Sequence, residues 1–278
     1  LVEEVVGHPI LETSDTIKPT ISNVSFNYSD GVMLIHASET VDLTPTSKVN
    51  LQHVGITNET GGASPRITLL GATIVDIDGL TVTLHMSEDD RANAYYVSGL
   101  SGGDGGAAFL RSDPGFLVDI AQNTFDSTAF HSIKEHEDIL HPLLLNVTLN
   151  LSTGELFLYF SETIDFTPLS QIDRRRINIS DSQNSIHTFS LNVAEIDSKD
   201  TVVAKFVLPE KLRNAVQRFA GTPGGDGSPS VLDIQSNAIF DLASNGLAEQ
   251  VFSIVEIPDT VPPVLESATI NYTNGEME

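Results

Sequence analysis

KPTISNVSFNYSDGVMLIHASETVDLTP, from Lys18 to Pro45, returns as HPLLLNVTLNLSTGELFLYFSETIDFTP, from His141 to Pro168. Its opening returns a third time as PPVLESATINYTNGEME, from Pro262 to Glu278. The matching prolines, Pro19, Pro142 and Pro263, stand 123 and 121 residues apart. A near-constant period of this size marks tandem modules, each with its own core, rather than one large domain. Within the quoted stretch the side chains alternate. Val24, Phe26 and Tyr28 interleave with Asn23, Ser25 and Asn27, as Val147, Leu149 and Leu151 do with Asn146, Thr148 and Asn150. A period of two puts the apolar set on the core face of a β-strand and the polar set in solvent. The turns Ser29–Gly31, Ser152–Gly154 and Thr273–Gly275 join the first two strands, with glycine supplying the positive φ that a tight turn needs.

The rest of the repeat keeps the same spacing. GGDG at Gly102–Gly105 matches GGDG at Gly224–Gly227, and FLVDIAQN, ending at Asn123, matches AIFDLASN, ending at Asn245. The period divides the chain into a closing strand of a preceding repeat (1–17), two whole repeats (18–140 and 141–261) and the first strands of a following one (262–278). The chain is therefore expected to be a piece of a longer array.

Short alternating runs between turn signals predict an all-β fold of sandwich modules, each of about 120 residues and able to bury its own core. Expected strands in the first copy are Ile21–Tyr28, Val32–Ala37, Val49–Ile56, Ile67–Val75, Thr81–His85, Phe116–Ile120 and a closing strand at Ala129–Ile133. Val2–Val6 and Gln250–Ile257 are the counterparts of that closing strand. One short helix is expected per module. Ser87 caps an acidic first turn in the first copy. Pro209 opens the second helix, with Leu212, Val216 and Phe219 at helical spacing.

The net charge of −24 leaves no basic footprint for a nucleic-acid backbone, so nucleic acid is excluded as a partner. Acidity serves solubility along an exposed fibre, or it binds hard cations. No run approaches the roughly 18 apolar residues of a membrane span. Asn-x-Ser/Thr occurs at Asn23, Asn27, Asn58, Asn146, Asn150, Asn178 and Asn271, where composition alone predicts about 3 such sites. Most of these asparagines fall on the predicted solvent face, where N-linked glycans fit, and the excess points to a secreted protein. Bare Asn and Thr on a β surface is the plain alternative.

FSETIDFTP (Phe160–Pro168), with FDLASNGL (Phe240–Leu247) near the end of the module, resembles tandem bacterial-type Ig-like domains. In that family a strand ends in F-S-E-x-V/I-D and the module closes on D-x-A-x-N. PDTVPP (Pro258–Pro263) resembles the linker of such modules. The first copy departs from the pattern with Ala37 in place of the phenylalanine, and its linker DTIKP (Asp15–Pro19) keeps only one proline. The resemblance implies Ig-like β-sandwiches in series, acting as extracellular spacers of large surface proteins.

The repeated acids are the constellation with the most chemistry. Glu39 and Asp42 match Glu162 and Asp165, while Asp119 and Asn123 match Asp241 and Asn245. Linker acids Asp15, Asp138 and Asp259 recur near the junctions. Calcium takes six to eight oxygens, several from carboxylates, so these eight residues are candidate Ca²⁺ ligands. Asp and Asn also cap turns by bonding the backbone, and that reading stands beside the first. His131, His136 and His141 are spaced by five, which suits neither a strand nor a helix for zinc. Arg174–Arg176 either pairs with acids of a neighbour or is solvated. Glu162 and Asp165 could serve as a glycosidase pair, but a catalytic pair duplicated in every module of an array is improbable, and the chain carries no G-x-S-x-G, H-E-x-x-H or cysteine. The expected function is structural: a fibre, filament or stalk segment whose partners are neighbouring repeats, like chains and its own glycans. The alternative is a calcium-assisted adhesin that binds glycan or protein.

Overall fold

The computed structural model describes residues 7, 10–58, 66–75, 77–181, 188–196, 199–265, 267–273 and 276–277. The expected strand Val2–Val6 lies outside them, as do two residues of the turn Thr273–Gly275. Two compact units are present: Leu1–His141 with Asp241–Asn245, and Pro142–Phe240 with Gly246–Glu278.

In the first unit the strands are β1 (Ile21–Asn27), β2 (Val32–Val41), β3 (Val54–Thr57), β4 (Ile67–Thr68), β5 (Thr73–Ile74), β6 (Gly79–His85), β7 (Phe109–Ser112) and β8 (Ala129–His136), with helix α1 (Glu88–Tyr96) after β6. They run in the order β4-β3-β7-β8-β1-β2-β6-β5. β8 joins the two layers of the sandwich. Its start, Ala129–Ser132, pairs antiparallel with β7, and its end, Ile133–His136, pairs parallel with β1. The second unit uses β9 (Leu144–Asn150), β10 (Glu155–Ile164), β11 (Ile177–Asp181), β12 (Thr188–Ser190), β13 (Glu195–Ile196), β14 (Thr201–Val207), α2 (Glu210–Gln217), β15 (Ser230–Ile234), β16 (Gln250–Ser253) and β17 (Val255–Ile257). Here the sheets are separate, β13-β14-β10-β9-β17 and β12-β11-β15-β16. The bridging task is split between β16 and β17 at buried Ile254. A further hairpin pairs β18 (Ile270–Asn271) with β19 (Glu276–Met277). The result is an all-β, Ig-like sandwich fold.

The alternation read in the sequence is the core. Val24, Phe26, Tyr28, Met33 and Ile35 are fully buried, as are Val147, Leu149, Leu156 and Leu158 in the second unit. Gly31 and Gly154 close the first hairpins at φ 68° and 78°, each amide bonded to the carbonyl of Asn27 or Asn150. The helices start where expected. Ser87 Oγ accepts from Asp90 N at 3.1 Å, and Pro209 caps α2, whose Leu212 and Val216 are buried along with Phe219 just beyond its end.

Three strand expectations need correction. Val49–Ile56 begins with a 3₁₀ turn, Leu51–His53, because Asn50 Oδ1 takes Gln52 N at 3.1 Å, and only Val54–Thr57 extends. Ile67–Val75 is two short strands interrupted by a turn. Phe116–Ile120 is not a strand. It makes only the isolated bridges Val41↔Asp119 and Val118↔Thr124, since the Asp119 side chain draws the backbone into a turn. Phe109–Ser112 is a further strand that the sequence does not announce, being a four-residue run broken by Arg111.

Two outcomes follow from the packing. Leu149→Ala, which empties a fully buried site, is expected to cost about 2–5 kcal/mol in chemical denaturation of the chain. His131 in β8 stands opposite Leu110, where the second copy sets Phe252 opposite Leu232. Its Nε2 is buried without a hydrogen-bond partner, and burial pushes its pKa below the ordinary value. As pH falls through the unfolded value of about 6.5, the unfolded chain binds a proton that the fold resists, so stability drops. Urea titrations at pH 7.5 and 5.5 should show this loss, and His131→Phe should remove most of it.

Candidate functional site

The repeated acids divide into two kinds according to what holds them. Asp119 and Asp241 sit at the head of the same turn. Asn123 N donates to Asp119 Oδ1 at 2.7 Å, and Asn123 Nδ2 donates to Asp119 Oδ2 at 2.8 Å. Asn245 repeats both bonds to Asp241 at 2.7 and 2.9 Å. Gln122 and Ser244 take positive φ, 70° and 68°, to close the loop. Each asparagine amide also donates to a linker carbonyl, Asn123 to Asp15 O at 3.3 Å and Asn245 to Asp138 O at 3.1 Å. Asn123 and Asn245 thus act as donors that order a carboxylate. Burial pushes the Asp241 carboxyl up, opposed by the Asn245 hydrogen bonds.

Asp42 does not join Glu39. Its carboxylate pairs with Lys48 and accepts from Gln122 Nε2 at 3.1 Å, and the Lys48 bond holds its pKa low. In the second copy Gln171 takes the place of Lys48, and Asp165 Oδ1 accepts from Thr167 N at 2.9 Å. Burial, then the charge of Asp200, raises the Asp165 pKa. Glu162 is buried on β10.

One cluster assembles within the first unit. Carboxylate oxygens of Asp15, Glu39 and Asp119 all lie within 4.8 Å of one another. In the sequence Asp15 is a linker acid near a junction. The fold brings it beside Glu39 at the end of β2 and Asp119 in the closing turn. Asp15 Oδ1 takes Ile17 N at 2.9 Å, and Asp119 is occupied by Asn123, yet Glu39 Oε1 is buried with no hydrogen-bond partner. Desolvation, then the charges of Asp15 and Asp119, pushes the Glu39 pKa up. An uncompensated carboxylate oxygen among like charges is the local condition that a hard cation relieves.

The linker acids share one local bond. Asp15, Asp138 and Asp259 each accept the backbone N–H two residues on, at Ile17, Leu140 and Val261. Asp138 also forms a buried ion pair with Arg91 at 2.6 Å, and Arg91 clasps Glu88 and the Tyr28 carbonyl. The sequence reading missed Asp78 and Asp200. They bind Leu43 N and Phe166 N, both at 2.7 Å, and so hold the turn before each cis Thr–Pro, Thr44–Pro45 and Thr167–Pro168. Their signal was available: an aspartate at the repeat offset, just ahead of β6 and β14.

The sequons have unlike settings. Asn23 and Asn146 are exposed. Asn27 and Asn150 are half-buried, their Oδ1 atoms accepting Ser29 N and Ser152 N at 3.1 and 2.9 Å. Asn58 Nδ2 donates to Asp104 Oδ2 at 2.6 Å in the first GGDG loop. Asn178 is buried in β11, which lies between β12 and β15 in its sheet. The side chain of Asn271 lies outside the described residues. Arg174–Arg176 form a 3₁₀ turn capped by Asp173. Arg174 and Arg176 donate to the carbonyls of Ala194 and Ser236, and Arg175 is exposed. No histidine stands in an ion-sharing cluster among the described residues.

No protein-family model matches the sequence, and comparison with curated proteins finds no match. Among solved structures, the chain is similar to a titin fragment at 11% identity, over 87% of this chain and 100% of that one, with a TM-score of 0.25. It is similar to the S-layer protein rSbsC at 11% identity, over 91% and 42%, with a TM-score of 0.29. The FN1–FN3 domains of chicken CNTN1 match at 10% identity, over 87% and 68%, with a TM-score of 0.21. At these TM-scores the likenesses carry no argument, and the Ig-like reading rests on the chain's own sheets.

The turn geometry has a measurable consequence. Asn123→Ala removes the Nδ2 bonds to the buried Asp119 carboxylate and to the Asp15 carbonyl and is expected to cost about 1–3 kcal/mol in denaturant titration.

Proposed function

We propose that this chain is a structural segment of a long extracellular repeat protein, a fibre, filament or cell-surface stalk of bacterial-type Ig-like modules. Its module boundaries are those of the sequence period, 18–140 and 141–261. The observation that carries this reading is the use made of the repeated acids. The Asp119–Asn123 and Asp241–Asn245 turns, the linker turns at Asp15, Asp138 and Asp259, and the Asp78 and Asp200 braces all serve the backbone, copy after copy. Residues reused in this way build modules. A hydrolase would need Glu162 and Asp165 as a free acid–base pair, whereas Asp165 caps a turn. Neighbouring repeats, like chains and N-linked glycans are the partners that this reading assigns.

Antibodies raised against the chain test the proposal on native material. Immunogold electron microscopy should place label on extracellular fibres or the cell surface at recurring intervals. Label confined to the cytosol would overturn it.

A second reading, a calcium-assisted adhesin, is favoured by the buried, unpartnered Glu39 Oε1 between Asp15 and Asp119. Isothermal titration of the chain with Ca²⁺ should then give a site whose affinity falls at least about tenfold in Glu39→Gln. Identical heats for the two proteins would leave the cluster with turn chemistry alone.

A further inference from the structure

The two copies share a skeleton, but one corner of the outer sheet face is rebuilt. In the first unit that corner is Ser22, Asn23, His36 and Thr81. Ser22 Oγ donates to the His36 carbonyl at 3.0 Å, and His36 Nδ1 lies 2.9 Å from Thr81 Oγ1, so the neighbours of Asn23 satisfy one another with polar bonds. In the second unit the same repeat positions hold Leu145, Asn146, Tyr159 and Val203. Tyr159 pairs directly with Asn146 on one side and with Val203 on the other. A register shift between Tyr159 and Phe160 marks a bulge opposite Leu145, which turns both Leu145 and Asn146 outward, Leu145 being 57% exposed. A ring flanked by two aliphatic side chains thus surrounds an exposed sequon, Asn146-Val147-Thr148. Asn146 Oδ1 accepts Val147 N at 2.9 Å, which orients the carboxamide. Among the described sequon side chains the others differ: Asn178 is buried, Asn58 Nδ2 is engaged by Asp104, Asn23 faces a histidine, and Asn27 and Asn150 are half-buried in hairpin turns.

We propose that Asn146 carries an N-linked glycan whose first N-acetylglucosamine lies against Tyr159, with Leu145 and Val203 beside it, and that this sugar stabilises the second unit. The inference rests on the reading of the chain as secreted. In the transfer, Nδ2 displaces the lipid-linked pyrophosphate of the donor oligosaccharide from C1. The N–C1 bond replaces the C1–O bond, and one amide proton is lost. Directly opposed residues of an antiparallel pair have Cβ atoms about 4.5–5.5 Å apart, so a sugar on Nδ2 reaches back over the neighbouring ring. Its C–H face then covers apolar surface that otherwise meets water, and the aromatic face complements those hydrogens.

The test compares the 278-residue chain secreted from a eukaryotic host, with its glycans trimmed to one N-acetylglucosamine, and the same chain made in bacteria without sugar. Glycopeptide mass spectrometry reads occupancy, and thermal denaturation reads stability. Asn146 should be occupied. Thr148→Ala, which removes the sequon, should lower Tm by about 4 °C more in the secreted than in the bacterial protein. Tyr159→Ser should abolish that excess, Tyr159→Phe should keep it, and Ser25→Ala, which removes the Asn23 sequon, should show none. The bacterial forms report whether each variant folds. Sugar at other sequons with Asn146 bare would overturn the inference and leave the secreted reading standing, as would an occupied Asn146 with no Tyr159-dependent excess. Sugar at no sequon would overturn both.

Discussion

The closing strand of each copy must hydrogen-bond to both sheets, and most of the remaining architecture follows from this. β8 leaves the β7 ladder at Ser132 and enters a parallel ladder beside β1 at Ile133. A strand that changes partner this way ties the first and last segments of the module together, so the two layers cannot separate without breaking it. It also fixes which side chains face the core, because a slip of one residue would turn Ile133 and the alternating set of β1 to the wrong side. In the second unit the change of partner falls at Ile254, whose burial anchors the crossing between β16 and β17. One crossing therefore serves as sheet register, core closure and the route from module to linker.

Carboxylates do most of the remaining fastening, and their surroundings sort them into roles. An aspartate with backbone N–H groups in reach becomes a turn, as at Asp119, Asp78 and Asp259. An aspartate beside a cation becomes an ion pair, as Asp42 does with Lys48 and Asp138 with Arg91. Glu39 has neither at its Oε1, and among the described residues it alone of the repeated acids holds a buried oxygen without a partner. The same residue type at the same repeat position can change role: Asp42 pairs with a lysine that Asp165 lacks, and the Asp165 pKa moves in the opposite direction.

The copies also show how far a surface can change over a constant core. His131 and Phe252 occupy the same place in the ladder, one titratable and one not. His36 faces Asn23 and Tyr159 faces Asn146 at the same repeat position, one held by a threonine hydroxyl and the other flanked by Leu145 and Val203. Substitution at such positions leaves the β-sandwich intact, because the buried alternation beneath it is untouched. Differences between modules of one array can therefore lie on the outer face.

The sequence by itself determined the repeat, the all-β class, the core face of β1 and β9, the hairpin glycines and the helix starts at Ser87 and Pro209. Each is a local property: alternation, a positive φ or a cap is decided by residues a few positions apart. It did not determine that Phe116–Ile120 is a turn, that Asn178 is buried, or that Arg174 and Arg176 bind carbonyls. Nor did it place Asp15 beside Glu39 and Asp119, or Tyr159 beside Asn146. Those outcomes depend on which distant segments meet, such as Asp42 with Gln122 and Arg174 with Ala194. Only the tertiary structure decides them, because the energy of a carboxylate, an amide or a ring is set by the groups across from it rather than by its neighbours in the chain.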